Sequence, residues 1–291
     1  MRIRRAVLYM PGDSMRKIRK AAGLAVDSII MDLEDGVAYK QKAEARVTTL
    51  EALTGLDFAH NERLVRVNRV GSGLTAQDII QTIAGQPDGY VLPKVESKED
   101  IIYVDYLLRD LEASHQLPIG RITLQAILES AKGILNAYEI ASASSRLTAL
   151  QFGSEDLRGD LGAMGTPSQQ ELLYARSHVV TVATACGLQA IDGVFLNFAD
   201  TEGAYQQAKK AAELGYQGKL AIHPRQIDPY HRAFTPSDSE INAAQQLVDA
   251  FDAHQQAGVG AFVFDGKMID EAIVRPALQT LAKARAAGML E

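Results

Sequence analysis

Cys186 is the only cysteine, so the chain forms no disulfide within itself and carries no cysteine-rich metal centre. Tryptophan is missing altogether, an absence that excludes nothing. Positive charge is not in excess. The 30 Lys and Arg residues against 36 Asp and Glu give a formal net charge of −6, and hence no broad attraction to nucleic acid or to an anionic membrane. Local basic clusters can still hold phosphate. No apolar run approaches the roughly 18 residues that span a bilayer. The basic opening MRIRRAVLYM looks briefly like a signal sequence, but its apolar run stops at Pro11-Gly12 with no cleavage site. A cytoplasmic protein with neither nucleic-acid nor membrane partners is the expectation. Also missing are a glycine fingerprint after the first strand, a P-loop and a GxSxG elbow. These absences count against dinucleotide binding, NTP hydrolysis and serine-hydrolase chemistry.

What is present is a regular alternation. Short, nearly continuous apolar segments stand at 6–10, 28–34, 63–68, 89–95, 121–129, 148–153, 193–198 (GVFLNF) and 219–224. Continuous apolar character marks strands buried on both faces, as in parallel sheets. Helical patterns lie between them, for example over 97–116 and 168–187, with Ser97 and Asp100 reading as an N-cap and first-turn acid. Eight such pairs predict an α/β fold, a (β/α)8 TIM barrel, better than an open doubly wound sheet. The expectation is one domain over 1–291, with a barrel core over 1–236 and a C-terminal helix and arm over 237–291. The arm exceeds what eight βα units need, and its apolar residues must pack on something beyond the barrel's own ring.

Barrel chemistry sits at the C-terminal ends of the strands. Those ends read MDLED, RVNR, LPK, ILES, FGSEDL and IHP. Glu129 and Asp156 follow adjacent strands, and two close carboxylates repel unless a proton or a cation intervenes. Mg2+ suits one or two carboxylates plus water and substrate oxygens, with Mn2+ the alternative metal. The competing reading makes each acid a helix cap. Arg66, flanked by Val65 and Val67, needs a carboxylate or an anionic substrate facing it, and Glu34 or Asp35 would serve as a structural partner. His223 fits a general base and a hydrogen-bonded wall residue equally. Lys94 offers a Schiff-base alternative that the acidic pair argues against. The loop over 162–170 stands where it would shape acyl specificity.

The motifs PGDSMRKIRKA, IIMDLEDGV, KAEAR, RVNR, LPKVES, ILES, FGSEDLRGDLG, AIDGVF, LAIHPRQI and DGKMID occur in that order from about residue 3 to 285. Together they resemble the citrate lyase beta-subunit-like family of the HpcH/HpaI aldolases, which includes malyl-CoA and citramalyl-CoA lyases. The resemblance implies a barrel of the phosphoenolpyruvate/pyruvate type, assembled as homotrimers or homohexamers. It implies an acyl-CoA substrate and Mg2+ on Glu129 and Asp156. Arg66 would meet the reacting carbonyl or enolate oxygen, and Asp270 of KMID would be an acid/base presented to a neighbouring subunit. Lys20 and Lys42 would meet CoA phosphates, with His223 beside the substrate. Residues alone read Asp270 as the N-cap of the last helix. Carbon–carbon cleavage of a 3-hydroxyacyl-CoA to acetyl-CoA and a 2-oxo acid follows from the resemblance. A citryl-thioester lyase subunit, a related synthase or thioesterase, and a non-catalytic CoA-binding barrel are the alternatives.

Overall fold

The computed structural model describes residues 2–166, 168–258 and 260–290; Pro167 of the 162–170 loop and Val259 of the arm's GVGAFVF segment lie outside them. Strands and helices alternate as β1 (Ala6–Pro11), α1 (Met15–Ala22), β2 (Ser28–Asp32), α2 (Lys42–Gly55), β3 (Glu62–Arg66), α3 (Thr75–Thr82), β4 (Gly89–Leu92) and α4 (Lys98–Ser114). Next come β5 (Thr123–Leu128), α5 (Ala131–Leu135), α6 (Ala137–Ala141), β6 (Leu147–Phe152), α7 (Ser154–Leu161) and α8 (Leu173–Ala185). The barrel ends with β7 (Gln189–Asp192), α9 (Thr201–Leu214) and β8 (Gly218–Ala221), followed by α10 (Ile227–Phe234). All eight strands are parallel, and β8 closes on β1. The expected (β/α)8 barrel is therefore the fold.

One residue from each strand fills the barrel's centre: Val7, Ile30, Leu64, Val91, Ile127, Ala149, Ile191 and Leu220. Each of the larger aliphatic members contributes about 1.5–3 kcal/mol by leaving water. Side chains alternate along a strand, so residues two before or after this ring face the same interior. Two residues earlier the interior turns polar. Glu62 accepts hydrogen bonds from Arg4 Nε at 2.8 Å and Ser28 Oγ at 2.6 Å, while Arg4 also donates to Gln189.

Buried polar pairing over long range explains the one strand that is misplaced in the sequence reading. The seventh strand is Gln189–Asp192, not the apolar run over 193–198. Gln189 and Asp192 are buried with partners: Arg176 Nη2 donates to Asp192 at 2.9 Å and Lys219 Nζ at 2.5 Å. Residues 193–198 instead form a loop, in which Leu196 and Phe198 are exposed.

By chain contacts the molecule divides into two compact units, one of residues 4–230 and one holding His231 onward with the extreme N-terminus. In the second unit α11 (Asp238–Gln256) packs on α12 (Glu271–Ala286) through Ile241, Ala244, Ala277, Leu281 and Ala284. A short hairpin, β9 (Phe262–Phe264) and β10 (Lys267–Ile269), turns at Asp265-Gly266. Both turn residues have positive φ, as a two-residue hairpin loop requires. Among the described residues no helix is long and apolar enough to cross a membrane.

Candidate active site

Stepping two residues beyond the apolar ring along each strand gives Tyr9, Asp32, Arg66, Pro93, Glu129, Gln151, Gly193 and Ile222. This layer is the C-terminal mouth of the barrel. Tyr9, Asp32, Arg66, Glu129 and Ile222 line a cavity of about 310 Å³, to which the first turn of α7 adds Glu155 and Asp156. The fold thus brings three of the expected residues, Arg66, Glu129 and Asp156, to one cavity.

Glu129 is 5% exposed, and its Oε1 accepts from the backbone N–H of Lys94 at 2.7 Å. It can lie flat under the next turn because residue 153 is glycine; a Cβ there would stand 2.5 Å from Glu129 Oε2. Neither acid acts as a helix cap. Ser130 caps α5 by accepting from Gly133 N–H, and no side chain caps α7. Burial, and then the neighbouring Asp156 carboxylate, push the Glu129 carboxyl up to about 8. A divalent cation held by the two carboxylates would offset both effects by favouring the ionised form. Among the described residues no group of three or more His, Cys, Asp or Glu is placed to hold a metal. A cation on Glu129 and Asp156 would take its remaining ligands from water and substrate, which fits Mg2+.

Arg66 is held as a fork. Its Nε and Nη2 each donate to Asp32 at 2.7 Å, and Nη1 lies 3.1 Å from Glu34. The main partner is thus Asp32 rather than Asp35, and only the Glu34 half of the expected pairing holds. Asp32 is itself fixed by the N–H groups of Glu34 and Gly36, each at 2.8 Å. A side chain at residue 36 would strike it, since a Cβ there would be 2.3 Å from Asp32 Oδ2. Asp35 pairs instead with Lys94, whose Nζ lies 2.9 Å from Asp35 and 2.7 Å from Glu34. Burial works against the Lys94 ammonium, but these carboxylates outweigh it and hold the group charged. That disfavours a Schiff base, which needs a neutral amine.

The residues expected at CoA, Lys20, Lys42 and His223, are not among those lining this cavity. Lys42 Nζ donates to the carbonyls of Leu33 at 2.8 Å and Glu34 at 2.6 Å, so it ties down the loop after β2. His223 stacks on Phe198 at 4.7 Å between ring centroids, and its Nδ1 accepts from Arg225 N–H at 3.1 Å. Partial burial, then the charges of Arg225 and Lys20, lower its pKa and keep it neutral. Lys20 is exposed on α1. Asp270 caps α12, its Oδ1 accepting from Ile273 N–H at 3.1 Å. Tyr9, Asp32 and Gly36 were missed. The signal for Asp32 and Tyr9 was the two-residue period running from Ile30 and Val7.

A parallel barrel with an acidic pair and a clamped arginine at its mouth is the architecture of a metal-assisted carbonyl-chemistry enzyme. The HpcH/HpaI aldolase/citrate lyase family model matches residues 5–224, and the chain belongs to that family. Human citramalyl-CoA lyase, mitochondrial, is 39% identical over 97% of this chain and 85% of its own length. Citrate lyase subunit beta of Leuconostoc mesenteroides subsp. cremoris is 35% identical, covering 98% of this chain and 94% of its own. In structure, the protein CitE of Mycobacterium tuberculosis in complex with magnesium, acetoacetate and coenzyme A superposes with a TM-score of 0.80. It is 31% identical, over 96% of this chain and 97% of that one.

Proposed function

We propose that this protein is a magnesium-dependent lyase that cleaves a carbon–carbon bond in a short 3-hydroxyacyl-CoA of the citramalyl-CoA or malyl-CoA type. The products are acetyl-CoA and a 2-oxo acid, pyruvate or glyoxylate. The observation that carries this reading is the Glu129–Asp156 pair, set in one cavity with the clamped Arg66. The magnesium and coenzyme A of the Mycobacterium structure and the activity named for the human relative support it.

Glu129 and Asp156 would hold the cation, which when bound would acidify the substrate hydroxyl and polarise the carbonyl that forms from it. Asp270 accepts the hydroxyl proton, the bond to the thioester α-carbon breaks, and that bond's electron pair forms the acetyl-CoA enolate. Arg66 donates to the enolate oxygen. Because Asp32 and Glu34 already fix its plane, it needs no reorganisation as charge develops. Asp270 carries the proton to the α-carbon, so atoms and charge balance. Lys20, Lys42 and His223 form the CoA side of the mouth in this reading. The protein works in the cytoplasm, a reducing compartment that its lone cysteine suits, as three or six copies.

The test is a panel of malyl-, citramalyl- and citryl-CoA with and without Mg2+, trapping the 2-oxo acid and titrating free CoA. Cleavage of the first or second, only with metal and without free CoA, is the expected result. Free CoA as the main product would make the protein a thioesterase. Inertness toward all three free thioesters would favour a carrier-protein substrate, as for a citrate lyase subunit.

The placement of Asp270 gives a second prediction. Its arm belongs to a unit separate from the barrel, and we infer that it serves the neighbouring copy. Asp270→Asn and Glu129→Gln should each be nearly inactive alone. Mixed under conditions that exchange subunits, they should regain part of the wild-type activity, because some interfaces join an intact Asp270 to an intact metal pair. No recovery despite demonstrated exchange would leave Asp270 as a helix cap or a residue acting within its own chain.

A further inference from the structure

Tyr9 has no part in the chemistry above, yet it lies against the residue that stabilises the enolate. It stands on β1 two residues beyond Val7, so it faces the interior and reaches the mouth layer. The guanidinium carbon of Arg66 is 4.9 Å from the centroid of its ring. Tyr9 Oη donates to Gln151 Oε1 at 3.2 Å, and Gln151 Nε2 donates to Gln125 Oε1 at 2.7 Å.

Gln125 and Gln151 are fully buried inside the barrel. Buried amides are costly unless hydrogen-bonded, and Gln125 Nε2 has no partner among the described residues. An aliphatic pair would fill the same interior without that cost. Another polar set inside the barrel, Arg4 with Glu62 and Gln189, is built on an ion pair, Arg4 with Glu62, to which Gln189 adds an amide oxygen. The two glutamines are distinguished by one external contact, the phenol of Tyr9. Asp32 and Glu34 grip the edges of the Arg66 fork but leave its two faces open. The ring of Tyr9 covers one of them.

From this geometry we infer that Tyr9 is a positioning residue for Arg66. Its ring supports the guanidinium from one face, and the Gln125–Gln151 chain fixes the ring. The kinetic part of the test rests on the lyase reading; the spectroscopic part does not.

Tyr9→Phe keeps the ring and loses one hydrogen bond, so kcat should fall about three- to tenfold. Tyr9→Leu also removes the aromatic face and should lower kcat about thirtyfold, with KM little changed. Gln151→Leu should match Tyr9→Phe, and the double variant should be no slower than the slower single, because both break the same contact. Hydrogen exchange of the Arg66 Nε–H, followed by NMR, should be slow in wild type and in Tyr9→Phe but faster in Tyr9→Leu. Additive losses in the double variant, or a wild-type kcat in Tyr9→Leu, would overturn the inference. If the wild type cleaves none of the thioesters, exchange alone decides: acceleration in Tyr9→Leu upholds the positioning role while the lyase reading falls, and unchanged exchange overturns it.

Discussion

Replacing Glu129 by Gln or Asp156 by Asn is expected to lower kcat by about a thousandfold or more, since a catalytic cation supplies several kcal/mol of charge stabilisation. The fold should survive both changes. Glu129 is buried and makes no ion pair among the described residues, and the amide of glutamine keeps its shape while removing the charge that burial opposes. Metal-free Glu129→Gln should therefore melt no lower than the metal-free wild type at pH 8. Added MgCl2 should raise the Tm of the wild type but not of either variant, because only a state that binds the ion is stabilised by it. Wild-type activity persisting in excess EDTA would remove the metal from the mechanism.

The same pair sets the pH course of the metal-free protein. Glu129 stands at about 8 in the folded chain against an ordinary 4.5. Between those values the folded state keeps a proton that the unfolded chain has released, so stability falls as pH rises through the window. A cation favours the ionised carboxylate, and binding it below pH 8 must expel that proton. Calorimetric titration of Mg2+ at pH 7, in buffers of different ionisation enthalpy, should show close to one proton released. Binding with no proton release would mean that Glu129 is not a ligand.

These groups were legible in the sequence to different depths, for physical reasons. Glu129, Asp156 and Arg66 could be found because each follows or ends an apolar strand, where a charge is conspicuous. Asp32 was harder, since MDLED offers three acids in four positions and only the alternation from Ile30 selects the one that faces inward. Tyr9 hides in the apolar run AVLYM, where its hydroxyl carries no pattern of its own. The seventh strand was misplaced because Gln189 and Asp192 look like loop residues until Arg4, Arg176 and Lys219 come from distant positions to pair with them. Long-range pairing of buried polar groups leaves no local periodicity. The apolar loop over 193–198 borrows the look of a strand because part of it lines the mouth, where Val194 meets the cavity. Asp270 is the extreme case. Its local signal is that of a helix cap, and the structure shows that cap; a role in a second copy depends on an interface that a single chain's pattern does not encode.

Arg66→Lys should not rescue the enzyme: kcat is expected to drop on the order of a hundredfold or more, the range seen when one preorganised donor at a developing oxyanion is removed. Lysine keeps the charge but offers a single nitrogen in place of a planar fork. In this barrel the fork has two duties. Its Nε and Nη2 hold both oxygens of Asp32, and Nη1 lies by Glu34, which leaves the remaining N–H groups for the substrate oxygen. An ammonium placed midway between Asp32 and Glu34 would satisfy the carboxylates and withdraw from the cavity. Asp32→Asn separates the duties from the other side, since the arginine stays while one edge of its clamp is loosened. We expect kcat to fall about tenfold or more with KM little changed, because the donor is misplaced rather than lost. The two substitutions act on one contact, so the double variant should be no slower than Arg66→Lys alone. Near-normal kcat in Arg66→Lys would sink the role at the reacting oxygen and leave Arg66 as the counter-ion of a buried acidic cluster.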